Sequence, residues 1–203
     1  MLSQRPILID LPDRLEGQRV LVRPWRRGDG PDLWDAVDGS RDHLAPWMPW
    51  VEDTRNPDDS EEYAIRAGAR WDLREDLAVG IFERETGRTL GGSGLHRIDW
   101  RIRRFEIGYW VRQDAEGHGY VRETVQLLTR LAFDDLDACR VEVRMDTANE
   151  RSRRVPERLG FTLEATLRQA MAAPDGGPVD VHVFALLEEQ YRALPWASER
   201  GSS

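Results

Sequence analysis

The chain has 203 residues, 40% of them apolar and 33% charged, and 37 acidic against 29 basic side chains give a net charge of −8. This length suits one compact domain, and the negative charge argues against a nucleic-acid binder. All 29 basic residues are arginine, so enzymes that need a Walker A lysine, a kinase lysine or a Schiff-base lysine are excluded.

The predicted elements begin with a loose arm over residues 1–17 and a first strand over Val20–Pro24. Asp29 precedes a Gly-Pro pair, and proline favours the first turn of a helix, so a helix capped by Asp29 is expected next. A second helix is predicted to begin at Asp58, with Glu61 three residues later as its capping partner.

Strands and one amphipathic helix are predicted for the middle of the chain. Strands are expected over residues 77–83 and 89–98. Apolar and polar residues then alternate from Phe105 to Val111, which is typical of a strand with one face toward a core. A glycine-containing turn over residues 116–119 leads into a helix with apolar residues on one face.

The last part of the chain is predicted to add three strands and a short helix. A strand over residues 141–145 precedes a helix over 149–159 that ends at a glycine. Strands follow near 161–171 and 179–187, and residues 195–203 are expected to fray. The order β-α-α-β-β-β-α-β-α-β-β favours a mixed α/β sheet with helices on both faces.

The turn at Gly117 and Gly119 is the most informative segment. A strand leads into it and a helix begins after it, so the first backbone N–H groups of that helix lack internal partners and can bind a pyrophosphate. The absence of Cβ atoms lets phosphate oxygens approach the backbone. The dinucleotide fingerprint fails because Arg122 stands where a third glycine or alanine is needed. An ordinary strand–turn–helix connection is the alternative interpretation.

Four motifs occur in order around this turn. They are Glu-Ile-Gly-Tyr-Trp from Glu106, Gly-His-Gly-Tyr from Gly117, Asn-Glu-Arg-Ser from Asn149, and Leu-Gly-Phe from Leu159. Together with Leu44–Trp50 they resemble the GNAT acetyltransferases, close to the branch that acetylates ribosomal-protein N-termini. The resemblance covers about residues 18–188. It implies a single GNAT domain over 1–203, with about seven mostly antiparallel strands and four helices.

The resemblance implies direct transfer of acetyl from acetyl-CoA to an amine, with no metal and no covalent enzyme intermediate. The residues that it places along coenzyme A are Trp110, Val111, Arg112, Gly117, His118, Gly119, Tyr120, Val121, Arg122 and Asn149. Ser152 would lie near the thioester sulfur and donate a proton or hydrogen bond to the departing thiolate. Asp114 departs from the family pattern, and Arg112 or Arg122 is expected to compensate its charge.

Two structural alternatives concern the helix over residues 149–159. Asn149 or Thr147 would cap this helix and do nothing else, with Thr147 and Glu150 as a capping box. Pro156 lies inside the helix and cannot donate to the carbonyl of Ser152. We therefore expect a kink, with that carbonyl free for water or cofactor.

The base and the acceptor pocket are less constrained by the motifs. Glu106 is the candidate base, acting directly or through water, and a surface or salt-bridged strand residue is the alternative. Trp47, Trp50 and Tyr109 are candidate acceptor-pocket residues, although aromatic residues between prolines also serve as core plugs. The four histidines include no i, i+4 pair, so no metal site is expected.

Charge and amine chemistry favour a particular acceptor. Residues 52–76 carry nine acids and four arginines, whereas residues 140–158 carry six arginines and four acids, which suits a cationic acceptor and phosphates respectively. An α-amine, with a pKa near 8, needs a weaker base than a lysine amine, whose pKa is near 10.4. We expect a protein or peptide α-amine; a small-molecule amine (aminoglycoside, amino acid or polyamine) and a non-catalytic CoA-binding module are the alternatives.

Two further expectations concern the setting of the protein. The single cysteine, Cys139, excludes a disulfide framework and a cysteine-rich zinc site and favours the cytoplasm. Extra strands and eight tryptophans favour a homodimer. No nucleic-acid or membrane partner is expected.

Overall fold

The computed structural model describes residues 5–197. The strands are β1 (Leu15–Glu16), β2 (Val20–Pro24), β3 (Leu77–Glu83), β4 (Thr89–Asp99), β5 (Arg104–Val111), β6 (Arg140–Asp146), β7 (Thr162–Ala172) and β8 (Pro178–Leu187). The helices are α1 (Gly30–Asp38), α2 (Arg41–Leu44), α3 (Pro57–Leu73), α4 (Tyr120–Arg130), α5 (Glu150–Leu159) and α6 (Glu188–Arg192). Within the described range, no helix is long and apolar enough to cross a lipid bilayer.

One mixed sheet of eight strands organises the fold, in the order β1-β2-β3-β4-β5-β6-β8-β7. Every pairing is antiparallel except that of β5 with β6. The mixed α/β architecture predicted from the sequence is confirmed. The sheet has eight strands instead of about seven because β1 forms within the predicted arm.

The single parallel pairing creates a gap in the sheet. β5 and β6 pair only from Arg104–Arg140 to Glu106–Glu142, whereas β5 continues along β4 to Val111 and β6 continues along β8 to Asp146. The two strands therefore diverge beyond Glu106. Because α4 follows β5 and α5 follows β6, both helices begin at the open end of this gap.

Each face of the sheet packs against its own helices. On one face, Phe105 and Ile107 of β5 pack in a core cluster with Val125 and Leu128 of α4, all of them fully buried. The other face carries a smaller cluster around Trp25 of the β2–α1 connection, which also contains residues of α1 and α3. Burial of each large apolar side chain contributes about 1.5–3 kcal/mol. The positions of the apolar residues along a strand therefore determine which face of the sheet each residue takes.

The N-terminus of α3 differs from its prediction by one residue and by its cap. The helix begins at Pro57, and Asn56 is the N-cap: its side-chain oxygen accepts from the amides of Asp58 and Asp59. Asp59 returns a bond to the amide of Asn56, which completes a capping box. The predicted pair of Asp58 with Glu61 is therefore wrong.

The predicted cap of α1 is also wrong. Asp29 precedes the helix, but its side chain makes no capping hydrogen bond. Its carboxylate instead forms a bidentate ion pair with Arg23 at 2.7 and 2.8 Å. The carboxylate of Glu61 from α3 accepts from the amides of Gly28 and Gly30 at the start of α1. A tertiary contact thus replaces the local cap.

Both ends of the described chain are more ordered than the sequence predicts. In the predicted loose arm, Ile9 is buried in the core and its carbonyl accepts from the Arg74 guanidinium. In the predicted frayed tail, Trp196 packs edge-on against Tyr191 and donates to the carbonyl of Leu159. Residues 1–4 of the predicted arm and 198–203 of the predicted tail lie outside the described residues.

Candidate active site

Two cavities of about 650 Å³ each open into the gap between β5 and β6. The glycine-turn cavity is lined by residues 115–122 and by the arginine-rich side of α5. The aromatic cavity is lined by Trp47, Trp50, Tyr63 and Trp110 and by polar residues around them. The residues that line both are Trp47, Met48, Tyr109, Trp110, Asn149 and Ser152. The cavities therefore meet at Tyr109 and Ser152.

The glycine turn presents backbone donors to its cavity. Gly117 and Gly119 adopt left-handed φ values of 78° and 80°, and Gly119 is the N-cap of α4. Among residues 5–197, the amides of Gly117, His118 and Gly119 donate to no protein acceptor. A Cβ at Gly117 would meet nothing within 4 Å, so the backbone there faces open space. Free amides and the positive end of the α4 dipole favour a phosphate group at this turn.

The glycine-turn cavity is strongly basic. Five arginines and one glutamate, Glu116, line it. Glu116 is already shared by His43 at 3.0 Å and Arg151 at 2.5 Å. Arg154 and Arg158 have no ion-pair partner within the part of the chain that the structure describes. The cavity therefore has an excess of positive charge that suits the phosphates of coenzyme A.

The residues predicted along coenzyme A fall into two groups. The ones that line the glycine-turn cavity are Trp110, Val111, Gly117, His118, Gly119, Tyr120, Val121, Arg122 and Asn149. Arg112 lines neither cavity: its side chain is buried, and it contacts Asp114 at 2.6 Å and Asp35 at 3.2 Å. The side chain of Arg112 is therefore engaged by acidic residues, and its place along the cofactor arm stays a prediction.

Asp114 is neutralised away from the turn. It binds Arg112, as one of the two expected alternatives, and also Arg88 on the other side. Partial burial raises the pKa of Asp114, but the hydrogen bonds from both guanidinium groups outweigh it and hold the pKa below its usual range. Arg122 is left available to the cavity.

Tyr109 and Ser152 form a compact hydrogen-bonded unit where the cavities meet. The Tyr109 hydroxyl donates to the carbonyl of Ser152 at 2.8 Å, and the Ser152 hydroxyl lies 3.1 Å from the Tyr109 oxygen. The prediction that Pro156 leaves this carbonyl free is therefore wrong, because Tyr109 supplies the missing donor. The predicted kink stays a prediction. Burial raises the pKa of Tyr109 well above its usual range, so the phenol keeps its proton.

Asn149, not Thr147, caps α5. Its side-chain oxygen accepts from the amide of Ser152 at 3.0 Å. Asn149 is thus confirmed as the cap and a Thr147 cap is wrong, while a further role of Asn149 toward the cofactor stays a prediction. Asn149 also lines both cavities, and its side-chain nitrogen, Nδ2, has no partner among the described residues. One side chain therefore holds the helix that carries Ser152 and leaves a donor at the junction.

Glu106, the candidate base, lies beside the site without lining either cavity. Its carboxylate is 3.5 Å from the Arg97 guanidinium, and its side chain is 17% exposed. Burial raises the pKa of Glu106 above its usual range, while Arg97 and Arg144 oppose that rise. This placement agrees with the alternative of a salt-bridged strand residue.

His96 is a polar residue of the aromatic cavity that sequence reasoning missed. It lies on β4, opposite Glu106 of β5, and its Nδ1 atom is 2.9 Å from each carboxylate oxygen of Asp76. The two residues are twenty positions apart and meet because β3 and β4 form a hairpin. No local motif signals the pair; only the register of that hairpin could have found it.

The aromatic cavity combines indole rings with carboxylates. Trp50 and Trp110 pack with ring centroids 5.6 Å apart. The carboxylates of Asp53, Asp59 and Asp146 line the cavity against one arginine, Arg144. Its charge is thus opposite to that of the glycine-turn cavity, in agreement with the charge pattern of the sequence.

Comparison with known proteins identifies the family. The family described as "Acetyltransferase (GNAT) domain" matches residues 19–162. The chain belongs to this family. It is an acetyl-CoA-dependent N-acetyltransferase that acts on amine acceptors, and its cosubstrate is acetyl-CoA.

Relatives of this GNAT protein include proteins that are named as ribosomal acetyltransferases. YdaF of Bacillus subtilis, a ribosomal N-acetyltransferase by name, is 28% identical over 179 residues, which are 86% of this chain and 94% of YdaF. The ribosomal-protein-serine acetyltransferase of Escherichia coli is 29% identical over 96 residues, 47% of this chain and 53% of that protein.

Solved structures share the fold. The microcin C7 self-immunity acetyltransferase MccE, in complex with acetyl-CoA and AMP, has a TM-score of 0.80 at 19% identity and covers 84% of this chain and 93% of its own. RimL, the ribosomal L7/L12 α-N-protein acetyltransferase in complex with coenzyme A, has a TM-score of 0.78 at 20% identity. The match covers 86% of this chain and 97% of the RimL chain.

Proposed function

We propose that the glycine-turn cavity binds acetyl-CoA and that the aromatic cavity binds the acceptor, an N-terminal α-amine of a protein or peptide. The observation that carries this proposal is the meeting of the two cavities at Tyr109 and Ser152. A donor and an acceptor that enter from opposite sides can react only where their binding sites join.

The diphosphate is held by the backbone at the start of α4. Residues Gly117 to Val121 line the cavity, and each contact of a phosphate charge with the helix dipole contributes about 0.3–2 kcal/mol. Arg122, Arg154 and Arg158 add charge-assisted hydrogen bonds. The edge of β5 beyond Glu106, which β6 leaves unpaired, accepts the peptide-like pantetheine arm by strand addition.

Acetyl-CoA supplies a thioester whose sulfur can leave with its bonding electron pair. The Ser152 hydroxyl provides a hydrogen bond or proton for that sulfur, since it lies where the two cavities join. Tyr109 restrains Ser152 by contacting both its hydroxyl and its carbonyl. Asn149 fixes the first turn of the same helix.

The acceptor side favours a cationic amine next to apolar surface. Asp53 lines the aromatic cavity, and its carboxylate has no ion-pair or hydrogen-bond partner among residues 5–197. Trp47 and Trp50 provide apolar walls. A peptide N-terminus carries a positive charge beside a variable side chain, which matches this lining. An α-amine also loses its proton more readily than a lysine side chain.

A small-molecule amine is the second candidate. The tilted packing of Trp50 on Trp110 gives the cavity an aromatic wall, which would suit a compact acceptor with an apolar or planar portion. A panel of acceptors separates the two candidates.

The test incubates the protein with acetyl-CoA and two matched sets of acceptors. One set contains hexapeptides with free α-amines and the same peptides blocked at the N-terminus but carrying one lysine; the other contains spermidine, tobramycin and free amino acids. Release of CoA thiol measures turnover, and mass spectrometry locates the acetyl group. Acetylation at the α-amine of the free peptides supports the proposal. Turnover only with blocked peptides or with small amines contradicts it.

Asp53→Asn refines this test. It should raise the KM for the peptide several-fold and leave the KM for acetyl-CoA unchanged, because Asp53 lines only the aromatic cavity. Glu52→Gln is the matched control. This substitution removes one negative charge from the residue adjacent to Asp53, and Glu52 lines neither cavity. Equal effects of the two substitutions would show that only overall charge matters.

We also propose a homodimer and a cytoplasmic location. The edge strand β7 supports the first, since Leu163, Leu167 and Met171 are 39–46% exposed on it, and exposed apolar edge strands are prone to pairing. The single cysteine supports the second. Light scattering after size exclusion should give a mass of twice 23.4 kDa; a monomer mass would contradict the dimer.

A further inference from the structure

His96 and Asp76 form an ordered pair at the edge of the aromatic cavity. Nδ1 of His96 lies 2.9 Å from both oxygens of Asp76. A carboxylate only accepts hydrogen bonds, so Nδ1 carries the proton of a neutral ring and Nε2 holds the lone pair. Within the described chain, Nε2 has no hydrogen-bond partner. The pair therefore leaves one unoccupied proton-accepting atom.

Two glycines give the His96 ring its position. A Cβ at Gly94 would lie 2.7 Å from Cε1 and 2.8 Å from Nε2 of His96, and a Cβ at Gly108 would lie 3.3 Å from Cδ2. The imidazole thus lies across β4 and β5 at residues without side chains. Gly108 and His96 line the aromatic cavity together with Tyr109 and Ser152, and Gly94 is the cross-strand neighbour of Gly108. The ring is held on one side by Asp76 and faces the aromatic cavity.

We propose that His96 is the proton acceptor for the amine and that Asp76 is its positioning residue. Nε2 takes a proton from the ammonium group: the N–H bond of the amine breaks, its electron pair stays on the amine nitrogen, and an Nε2–H bond forms. The Asp76 carboxylate stabilises the resulting imidazolium. The proton then passes to solvent, since the His96 side chain is 30% exposed. The inference rests on amine acetylation and not on the acceptor being a peptide.

The comparison with Glu106 favours His96 as the base. The two residues are direct cross-strand neighbours, but of the two only His96 lines the aromatic cavity. Arg97 contacts Glu106, so this carboxylate faces a guanidinium. In this arrangement Glu106 supplies negative charge near the imidazolium, while His96 moves the proton.

The charged and titratable groups around the ring come from every neighbouring element. Asp76 precedes β3, Arg97 follows His96 on β4, and Glu106 lies on β5. Tyr63 of α3 faces the same cavity, and burial together with the charge of Asp76 raises the pKa of Tyr63 to about 12, so it remains neutral. Arg144 and the aspartates of the aromatic cavity complete the set.

A first experiment needs no acceptor. The four histidine rings are labelled with ¹⁵N, and the His96 signals are assigned by their loss in His96→Asn. The proposal predicts that the neutral ring carries its proton on Nδ1, and that Asp76→Asn shifts the population toward the Nε2–H form. A neutral wild-type ring protonated at Nε2 would overturn the proposal, because that atom could not accept a proton.

A second experiment measures catalysis with the amine that the wild type acetylates fastest in the acceptor panel. His96→Asn should lower kcat about 100-fold at pH 7, the usual scale of general-base catalysis, with the KM for acetyl-CoA within twofold of wild type. For an acceptor whose pKa is near 8, the deficit should shrink about tenfold between pH 7 and pH 9, as the free amine fraction rises. Added imidazole should restore part of the activity of His96→Ala.

His182→Asn is the matched control. His182 is also a strand histidine bonded at Nδ1, to Thr166 at 3.0 Å, but it lines neither cavity, and kcat should stay within twofold. If His96→Asn retains kcat within threefold of wild type, or if only Glu106→Gln abolishes it, the proposal is wrong. An unaltered Kd for CoA verifies the fold of each variant. If blocked peptides or small amines prove the acceptors, only the peptide proposal fails.

Discussion

The phenol oxygen of Tyr109 lies 2.8 Å from the carbonyl oxygen of Ser152, the group that Pro156 deprives of its helical donor. In an α-helix the amide of residue 156 would bond this carbonyl, and proline has no N–H. A side chain from β5 thus replaces a backbone bond of α5. This hydrogen bond links the helix that carries Ser152 to the strand beside the gap.

A double-mutant cycle tests this replacement. Tyr109→Phe should cost about 1 kcal/mol of stability, because it leaves a partly buried carbonyl without its donor, and it should lower kcat by loosening Ser152. In the Pro156→Ala background the carbonyl regains an N–H, so the same substitution should cost much less. Chemical denaturation of the four proteins gives the coupling energy. Equal costs in both backgrounds would show that the two residues act independently.

Gly119→Ala should weaken the binding of CoA. The residue has a φ of 80°, where an alanine is strained by about 1–2 kcal/mol, and its amide is one of the free donors of the glycine turn. We expect the Kd for CoA, measured by calorimetry, to rise about tenfold. Gly176→Ala is the control, because Gly176 has a φ of 85° in the β7–β8 turn and lines neither cavity. A similar loss of CoA affinity in both variants would contradict a specific role for the turn.

Arg158→Ala should raise the Kd for CoA by roughly tenfold at low salt, the scale of one hydrogen bond between charged groups. The effect should shrink as ionic strength rises. Arg153→Ala provides the control on the same helix: Arg153 pairs with Glu150 and Glu157 and lines neither cavity. Equal effects of the two substitutions would indicate long-range charge and not phosphate contact.

Glu106→Gln should change how stability depends on pH. Because burial raises the pKa of Glu106 in the folded protein, the folded state binds its proton more tightly than the unfolded state. The residue then destabilises the fold increasingly as pH rises through that raised pKa. The Tm of Glu106→Gln should therefore exceed that of the wild type near pH 7, with the difference vanishing near pH 4. A variant less stable at pH 7 would show that the ion pair with Arg97 dominates.

The sequence predicted the elements whose signal is local. Apolar alternation from Phe105 to Val111 and the apolar face of the helix beginning at Tyr120 located β5 and α4 closely. The resemblance carried by the ordered motifs singled out Gly117, Asn149 and Ser152, and each of these residues lines one or both of the cavities that meet in the structure. These features depend on neighbours a few residues apart.

Features that depend on register could not be predicted in the same way. A bulge between Ile81 and Phe82 shifts the β3–β4 pairing by one residue. Extrapolation from the turn would then set Asp76 opposite Leu95 instead of His96, and a one-residue slip moves a side chain to the other face. The prediction of local caps failed similarly, since Glu61 accepts from the amides of Gly28 and Gly30, 33 and 31 positions away, in place of Asp29.

The most direct measurement of the central claim is a crystal structure of the Ser152→Ala variant with bound acetyl-CoA. We expect the diphosphate to lie within hydrogen-bond distance of the amides of residues 117–121. We also expect the thioester to lie between Tyr109 and residue 152, with the aromatic cavity open on its far side. A diphosphate bound away from the start of α4, or a thioester outside the junction of the two cavities, would contradict it.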